Sequence, residues 1–282
     1  MISKSWQLRT QTLEFQQLPL VMGIVNVTPD SFSDGGKFAH TGKAVQHALS
    51  LAASGAAILD IGGESTRPYS SAVEAKEEIS RVVPVIKAVA NQTNVPISID
   101  TSKSVVAQAA IDAGAEIIND VTGLEGDPQM IAVAKQTGVG VCAMHMKGTP
   151  QTMQDDPQYE NVVDEILEYL QLRKNHLLNA GLELEKICLD PGIGFGKTHE
   201  HNLELLAHCE RYHELGCPVL VGHSRKGFIA NILADKTTDR DSGTLAITLM
   251  LARKRIQVVR VHEVEETVKA LRVFSAAGGL SS

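Results

Sequence analysis

Eight times along its 282 residues the chain repeats one pattern: a continuous apolar run, then an amphipathic stretch. The runs are LVMGIVNV (20–27), AAILDIGG (56–63), VPISID (95–100), EIINDV (116–121), VGVCAMHM (139–146), KICLDPG (186–192), PVLVGH (218–223) and IQVVRVH (256–262). Helical stretches such as GKAVQHALSLAASG, EAKEEISRVVPVIKAVANQ and NVVDEILEYLQLRKNHLLNAG lie between them. From Asn26 to Arg260 successive runs are spaced by about 33 residues, enough for one βαβ unit each. The runs do not alternate apolar with polar, as parallel strands buried on both faces should not. Gly55, Gly114, Gly138 and Gly181 each stand between a helical stretch and the next run. A left-handed residue there ends a helix. No linker or composition shift divides the chain. The expected fold is therefore α/β, a (β/α)8 TIM barrel over residues 19–282, preceded over 1–18 by a hairpin or extended lead-in. An open doubly wound sheet is the alternative, disfavoured because no G-x-G-x-x-G follows the first run.

With 43% hydrophobic residues, a chain this long buries roughly three quarters of its unfolded surface and is not disordered. Its 26 basic and 33 acidic residues leave a net charge of −7, which argues against a nucleic-acid partner. An anionic small substrate stays compatible, because a local field can oppose the net charge. Cys142, Cys188, Cys209 and Cys217 form no C-x-x-C pair and are expected as buried packing thiols in a reducing compartment. The first fifteen residues alternate apolar and polar side chains, without the apolar core of a signal peptide. The longest apolar stretches, such as LAITLMLA at 245–252, fall short of the roughly 20 residues a membrane span needs. A soluble cytoplasmic protein with no membrane partner is expected. Trp6 is expected to pack against the closed end of the barrel. His47, His176, His199, His201, His208 and His213 show no metal-ligand spacing and are read as surface or packing residues.

In such a barrel the chemistry gathers at the C-terminal ends of the strands. The runs end at Asn26, Asp60, Asp100, Asn119–Asp120, Met144–His145, Asp190, Gly222 and Arg260–His262. One polar strand end is often only a helix cap or turn residue. Seven or eight aimed at one mouth are not so easily dismissed. Asp100, Asn119 and Asp190 can hydrogen-bond the edge of a flat, nitrogen-rich heterocycle. Lys226, Arg260 and His262 form a cationic corner on the last two units, where phosphate sites often form. Arg can grip an oxyanion or stack on a ring. Asn26 and Thr66 add oxygens beside that corner, where a Mg²⁺-bound pyrophosphate would fit. PGIGFGKT at 191–198 lacks the spacing of a nucleotide loop. Its glycines are expected to let backbone approach a bound ring. Two long polar segments, 28–41 and 64–72, are expected as lids over the mouth.

The strand-end motifs MGIVNVTPDSFSDGG (22–36), DIGGESTRP (60–68), ISIDTSK (97–103), IINDV (117–121), MHMKGTP (144–150), LDPGIGFGK (189–197), SRKG (224–227) and RVHEV (260–264) together resemble those of the dihydropteroate synthase family, over about residues 20–275. The resemblance implies a transferase of folate biosynthesis on a (β/α)8 barrel. It would condense 6-hydroxymethyl-7,8-dihydropterin pyrophosphate with p-aminobenzoate, giving 7,8-dihydropteroate and pyrophosphate. Carried over by motif, Asp100, Asn119 and Asp190 would hold the pterin. Lys226 would contact its carbonyl, and Arg260 would stack on its ring. Arg260, His262, Asn26 and Thr66 would surround the pyrophosphate. Asn26, with Asp34, would ligate Mg²⁺. Phe32, Arg67, Pro68, Phe195 and Lys226 would line the p-aminobenzoate slot. The family's usual homodimer is expected too, with the apolar segment 243–252 as its contact.

Two positions depart from the family's pattern. Gly227 stands where many bacterial members carry Ser, and Tyr69 where Gly is frequent; both bear on the p-aminobenzoate side. Two other readings compete. A pterin-binding domain of a corrinoid methyltransferase system would lack the TPDSFSDGG and GESTRP segments, which are intact here. A catalytically silent barrel would have lost Asn26, Lys226 or Arg260, and none is lost.

Overall fold

The computed structural model describes residues 2–28, 37–235 and 237–280. The lead-in forms an antiparallel hairpin of β1 (Ser5–Gln7) and β2 (Thr12–Glu14). Each apolar run then yields a parallel strand: β3 (Leu20–Asn26), β4 (Ile58–Gly62), β5 (Ile97–Asp100), β6 (Ile117–Asp120), β7 (Gly140–Met144), β8 (Ile187–Asp190), β9 (Leu220–Val221) and β10 (Val258–Val261). Neighbours in sequence are neighbours in the sheet, and β10 returns to pair with both β3 and β9. A bridge between Leu189 and Val219 joins the remaining edges, so the strands form a closed ring. That excludes the open-sheet alternative.

Around the ring run α1 (Lys37–Ala53), α2 (Ala75–Ala90), α3 (Ser104–Asp112), α4 (Met130–Thr137), α5 (Val162–Asn179), α6 (His199–Ala207), α7 (Gly227–Ile232), α8 (Asp241–Arg253) and α9 (Val264–Ala276). Their sequences explain them. α2 buries Val82, Val85, Ile86 and Val89, three and four residues apart, against the strands. At the start of α5 the Asn161 side chain accepts from the N–H groups of Val163 and Asp164. Gly138 ends α4 with φ of 69°, the left-handed geometry anticipated there. Because α1 begins at Lys37, the first polar segment is shorter than 28–41; residues 29–36, with Phe32 and Asp34, lie outside the described residues.

The hairpin plugs the end of the barrel where the strands begin. Trp6 and Leu8 are buried with Met22, Ile58, Ile117 and Val258, and the Trp6 indole N–H donates to the Lys186 carbonyl at 3.0 Å. A Cβ at Gly140 would lie 2.9 Å from Leu8, so the plug needs glycine at that point of β7. All four cysteines are buried and free. Among the described residues no helix is long and apolar enough to cross a membrane.

Candidate active site at the barrel mouth

Parallel register carries the strand ends to one rim. Gly62 is the cross-strand partner of both Asn26 and Asp100, Asp100 pairs with Asn119, and Met144 pairs with Asp190. A cavity of about 1180 Å³ opens at this end, and Asn26, Thr66, Asp100, Phe195, Lys226 and Arg260 line it. Arg67, Pro68 and His262 complete its upper wall. Asn119 and Asp190, only 6% and 5% exposed, sit in the floor beneath this lining. Residues far apart in sequence, including Asp100 and Arg260, thus share one chamber.

The floor is an ionic lattice. Arg260 Nε donates to Asp60 Oδ2 at 2.6 Å, and Arg260 Nη2 donates to Asp100 Oδ2 at 2.8 Å. Asn119 Nδ2 donates to the same Asp60 oxygen at 3.2 Å, leaving Asp60 Oδ1 buried without a partner. Burial raises the Asp100 carboxyl to about 7; Arg260 opposes the shift, and the carboxylates of Asp60 and Glu78 add to it. Burial likewise raises Asp190 to about 6, although it accepts the Gly192 N–H at 2.7 Å and faces Lys226. Arg260 is held above its ordinary value: burial works against its charge, but Asp60 and Asp100 outweigh it.

The opposite wall carries the cations. Lys226 Nζ lies 4.0 Å above the centre of the Phe195 ring. Burial, with Arg260 nearby, lowers Lys226 to about 8. The preceding Arg225 holds this turn in place with bonds to Asp241 at 2.6 and 2.8 Å and to Glu263 at 2.5 Å. His262 corrects an expectation. Burial and the charges of Arg225, Arg260 and Arg67 push it down to about 3, so it is neutral in the free site and not part of a cationic corner. Its Nδ1 lies 2.8 Å from Ser224 Oγ.

The glycines after β8 also serve a different purpose from the one expected. Gly192, Gly194 and Gly196 have φ of 70°, 84° and 66°. A Cβ at Gly192 would lie 1.9 Å from the His145 carbonyl, and one at Gly196 would lie 2.3 Å from the Lys147 carbonyl. They therefore make room for the loop after β7, not for a ring. Gly194 alone meets a site side chain, Lys226, at 3.0 Å. The adjoining Lys197 is buried and donates to His145 Nδ1 at 2.9 Å and to the Phe195 carbonyl at 2.8 Å.

The segment after β4 reaches across the mouth. Tyr69, exposed and at φ of 64°, donates its N–H to the Pro150 carbonyl at 2.9 Å, and Gln151 Nε2 donates to the Ser70 carbonyl at 3.0 Å. Gly227 has open space where a side chain would begin. Among the histidines set aside, His201 completes the capping box of α6, and His213 is buried beside the Lys254 carbonyl. Sequence reasoning named Asp60 as a strand end but gave it no role, and it passed over Lys197 and Ser224. The strand-end rule and the motifs LDPGIGFGK and SRKG contain all three.

Comparison with known proteins follows the same geometry. The family described as pterin binding enzyme matches residues 22–262. The dihydropteroate synthase of Escherichia coli K12 is 46% identical over 258 residues, covering 92% of this chain and 91% of that one. That of Haemophilus influenzae is 43% identical over 259 residues, covering 92% and 94%. A Xanthomonas albilineans dihydropteroate synthase solved with 4-aminobenzoic acid matches with a TM-score of 0.90 at 43% identity, covering 98% of both chains. One from the same organism in complex with 7,8-dihydropteroate gives 0.86 at 41% identity, covering 97% of this chain and 98% of that one.

Proposed function

The chain belongs to the dihydropteroate synthases of the pterin-binding enzyme family, joining 6-hydroxymethyl-7,8-dihydropterin pyrophosphate to p-aminobenzoate with release of pyrophosphate, and from that premise we propose how its own residues carry the reaction. One observation supports the assignment above the others: Asp100 and Arg260 meet at 2.8 Å on the floor of a single open cavity. Asp100, Asn119 and Asp190 take the donor–acceptor edge of the pterin. In the free protein the Arg260 guanidinium occupies Asp100; the ring N–H groups of the pterin replace it there. Arg260 keeps Asp60 and lays its plane against the ring. Lys226 donates to the pterin carbonyl and, with Phe195, Arg67 and Pro68, borders the p-aminobenzoate slot. Phe32 completes that slot in this proposal.

The carbon attacked is a methylene on an electron-rich reduced ring. If pyrophosphate leaves first, positive charge spreads into the pterin, where Asp100 and Asp190 stabilise it. Arg260, His262 and Thr66 face the departing anion. As that anion arrives, the neutral imidazole of His262 gains a reason to take up a proton. The neutral amine of p-aminobenzoate then attacks and gives up one N–H proton to the released pyrophosphate, while the segment carrying Thr66–Pro68 excludes water.

Asn26 ends β3 half-buried against the cavity and offers a hard amide oxygen to a cation. Among the described residues no cluster of three or more His, Cys, Asp or Glu suits a metal. A donor set this sparse fits Mg²⁺, which keeps several waters and takes its other ligands from substrate phosphates. Asn26, together with Asp34, would hold it. Bound there, Mg²⁺ would neutralise charge on the pyrophosphate.

The homodimer belongs to the same proposal. α8 turns Thr244, Thr248, Leu251 and Ala252 inward and leaves Leu245, Ile247, Leu249 and Met250 only half-covered. Sedimentation at micromolar concentration tests it, and a monomer there rejects it. The reaction is tested by a pyrophosphate-release assay with each substrate and Mg²⁺ omitted in turn. Formation of dihydropteroate only when both substrates are present is expected. Positional scrambling of the bridging oxygen without p-aminobenzoate would support departure before attack. Release strictly dependent on p-aminobenzoate would count against it.

A further inference from the structure

Beside the site, and outside every role given so far, one ammonium joins three elements. Lys103 lies three residues beyond Asp100, at the start of α3. Its Nζ donates to Glu64 Oε2, at the neck of the segment after β4, and at 2.6 Å to Glu78 Oε2, in the first turn of α2. The Glu78 side chain is 0% exposed, that of Glu64 is 20% exposed and that of Lys103 is 25% exposed. Glu78 keeps Oε1 buried and without a partner. The other oxygen of Glu64, Oε1, accepts the Val73 N–H at 3.0 Å. The Glu64 carboxylate thus pins together the two ends of the segment that carries Thr66, Arg67 and Pro68. The neck is tight: a Cβ at Gly63 would lie 2.8 Å from Val82 and 3.0 Å from Glu78, and Arg81 Nη1 donates to the Gly63 carbonyl at 2.7 Å.

A fully buried carboxylate is costly unless it is paired, and here the partner serves a second carboxylate as well. A neutral core residue in place of Glu78 would fill the space without that cost. What the ion pair adds is direction: it fixes the root of an otherwise exposed segment to the strand end that bears Asp100. We infer that Lys103, bridging Glu64 and Glu78, is a positioning residue that sets Thr66, Arg67 and Pro68 over the pterin floor, and so governs p-aminobenzoate binding without touching either substrate. The inference rests on the proposed roles of those three residues. The geometry separates the two halves of the site: strand pairing sets the floor residues Asp100, Asn119 and Asp190, Arg260 bonds Asp100, and the bridge reaches the floor only through the charge of Glu78 on Asp100.

The test uses the full-length protein with Lys103→Met, Lys103→Arg and Glu64→Gln. The probes are a bare pterin without a diphosphate, p-aminobenzoate in the presence of pyrophosphate and Mg²⁺, and steady-state turnover. Losing a charge-assisted bond at the root should raise the p-aminobenzoate KM by about tenfold in Lys103→Met and Glu64→Gln, with bare-pterin affinity within about twofold of wild type in Glu64→Gln, where Glu78 stays paired. Lys103→Arg, which can still reach both carboxylates, should recover most of the loss. Glu64→Gln leaves the buried Glu78–Lys103 pair intact and keeps an oxygen for Val73, so it decides the matter if Lys103→Met does not fold. Unchanged p-aminobenzoate KM in Glu64→Gln, or equal loss of bare-pterin affinity, would overturn the inference. A wild-type protein that forms no dihydropteroate would instead overturn the proposed function, an outcome the same assay separates.

Discussion

At the floor of the mouth the guanidinium of Arg260 answers two carboxylates, and its neighbours' proton affinities set a narrow working range. The proposed reaction uses Asp100 as a carboxylate and Lys226 as an ammonium. Asp100, raised by burial to about 7, loses its charge as pH falls through that value. Lys226, lowered by burial and Arg260 to about 8, loses its charge as pH rises through that value. A plot of kcat/KM against pH should therefore be a bell with both limbs between roughly pH 6 and 9, and Asp100→Asn should move the acid limb down toward pH 6, where the Asp190 carboxyl still titrates. In the same variant kcat should fall about 100-fold or more while pterin affinity changes only a few-fold, because the carboxylate matters most once cationic charge develops. Equal losses in turnover and affinity, measured by kinetics and titration calorimetry, would exclude that role. Lys226→Ala should raise KM for both substrates, each by about tenfold. Asp100, Asn119, Asp190 and Arg260 can be read from sequence because each closes an apolar run. Asp60 is equally visible as a strand end, but its role is not, because its partner Arg260 is 200 residues away. The neutrality of His262 escapes for a related reason: the charges that impose it, on Arg225, Arg260 and Arg67, come from three different elements.

Among the elements, the turn after β8 shows how far local chemistry is dictated from outside. Its alternate glycines announce a left-handed path in the sequence, but the reason for that path is the loop after β7, which no local pattern reveals. Gly192→Ala would thrust a methyl into the His145 carbonyl and impose a left-handed alanine. It should cost about 3 kcal/mol or more and displace Phe195, seen as a lower denaturation midpoint and a weakened p-aminobenzoate KM. The helices fall where their periodicity and glycine stops put them. β9 is shorter than its apolar run because Pro218 has no N–H to give and the Val219 N–H goes to the Gln257 side chain at 2.9 Å, so regular pairing begins only at Leu220. Tyr69 illustrates the converse: a residue flagged only as unusual turns out to hold φ of 64°, a conformation glycine adopts without cost.

For the molecule as a whole, eight repeats of one supersecondary unit are enough to announce a ring, since a closed sheet leaves no edge to manage. They do not announce what seals its far end, because the hairpin is held there by residues from seven different strands. Its Trp6 is the chain's one tryptophan, seated in apolar surroundings at the pole away from the substrates. Its fluorescence should therefore be blue-shifted and indifferent to saturation with pterin, and should move to longer wavelength only when the barrel opens. Emission spectra recorded during a substrate titration and a urea titration check this. A single optical signal, with no label added, would then tell a variant that has lost its ligand from one that has lost its fold.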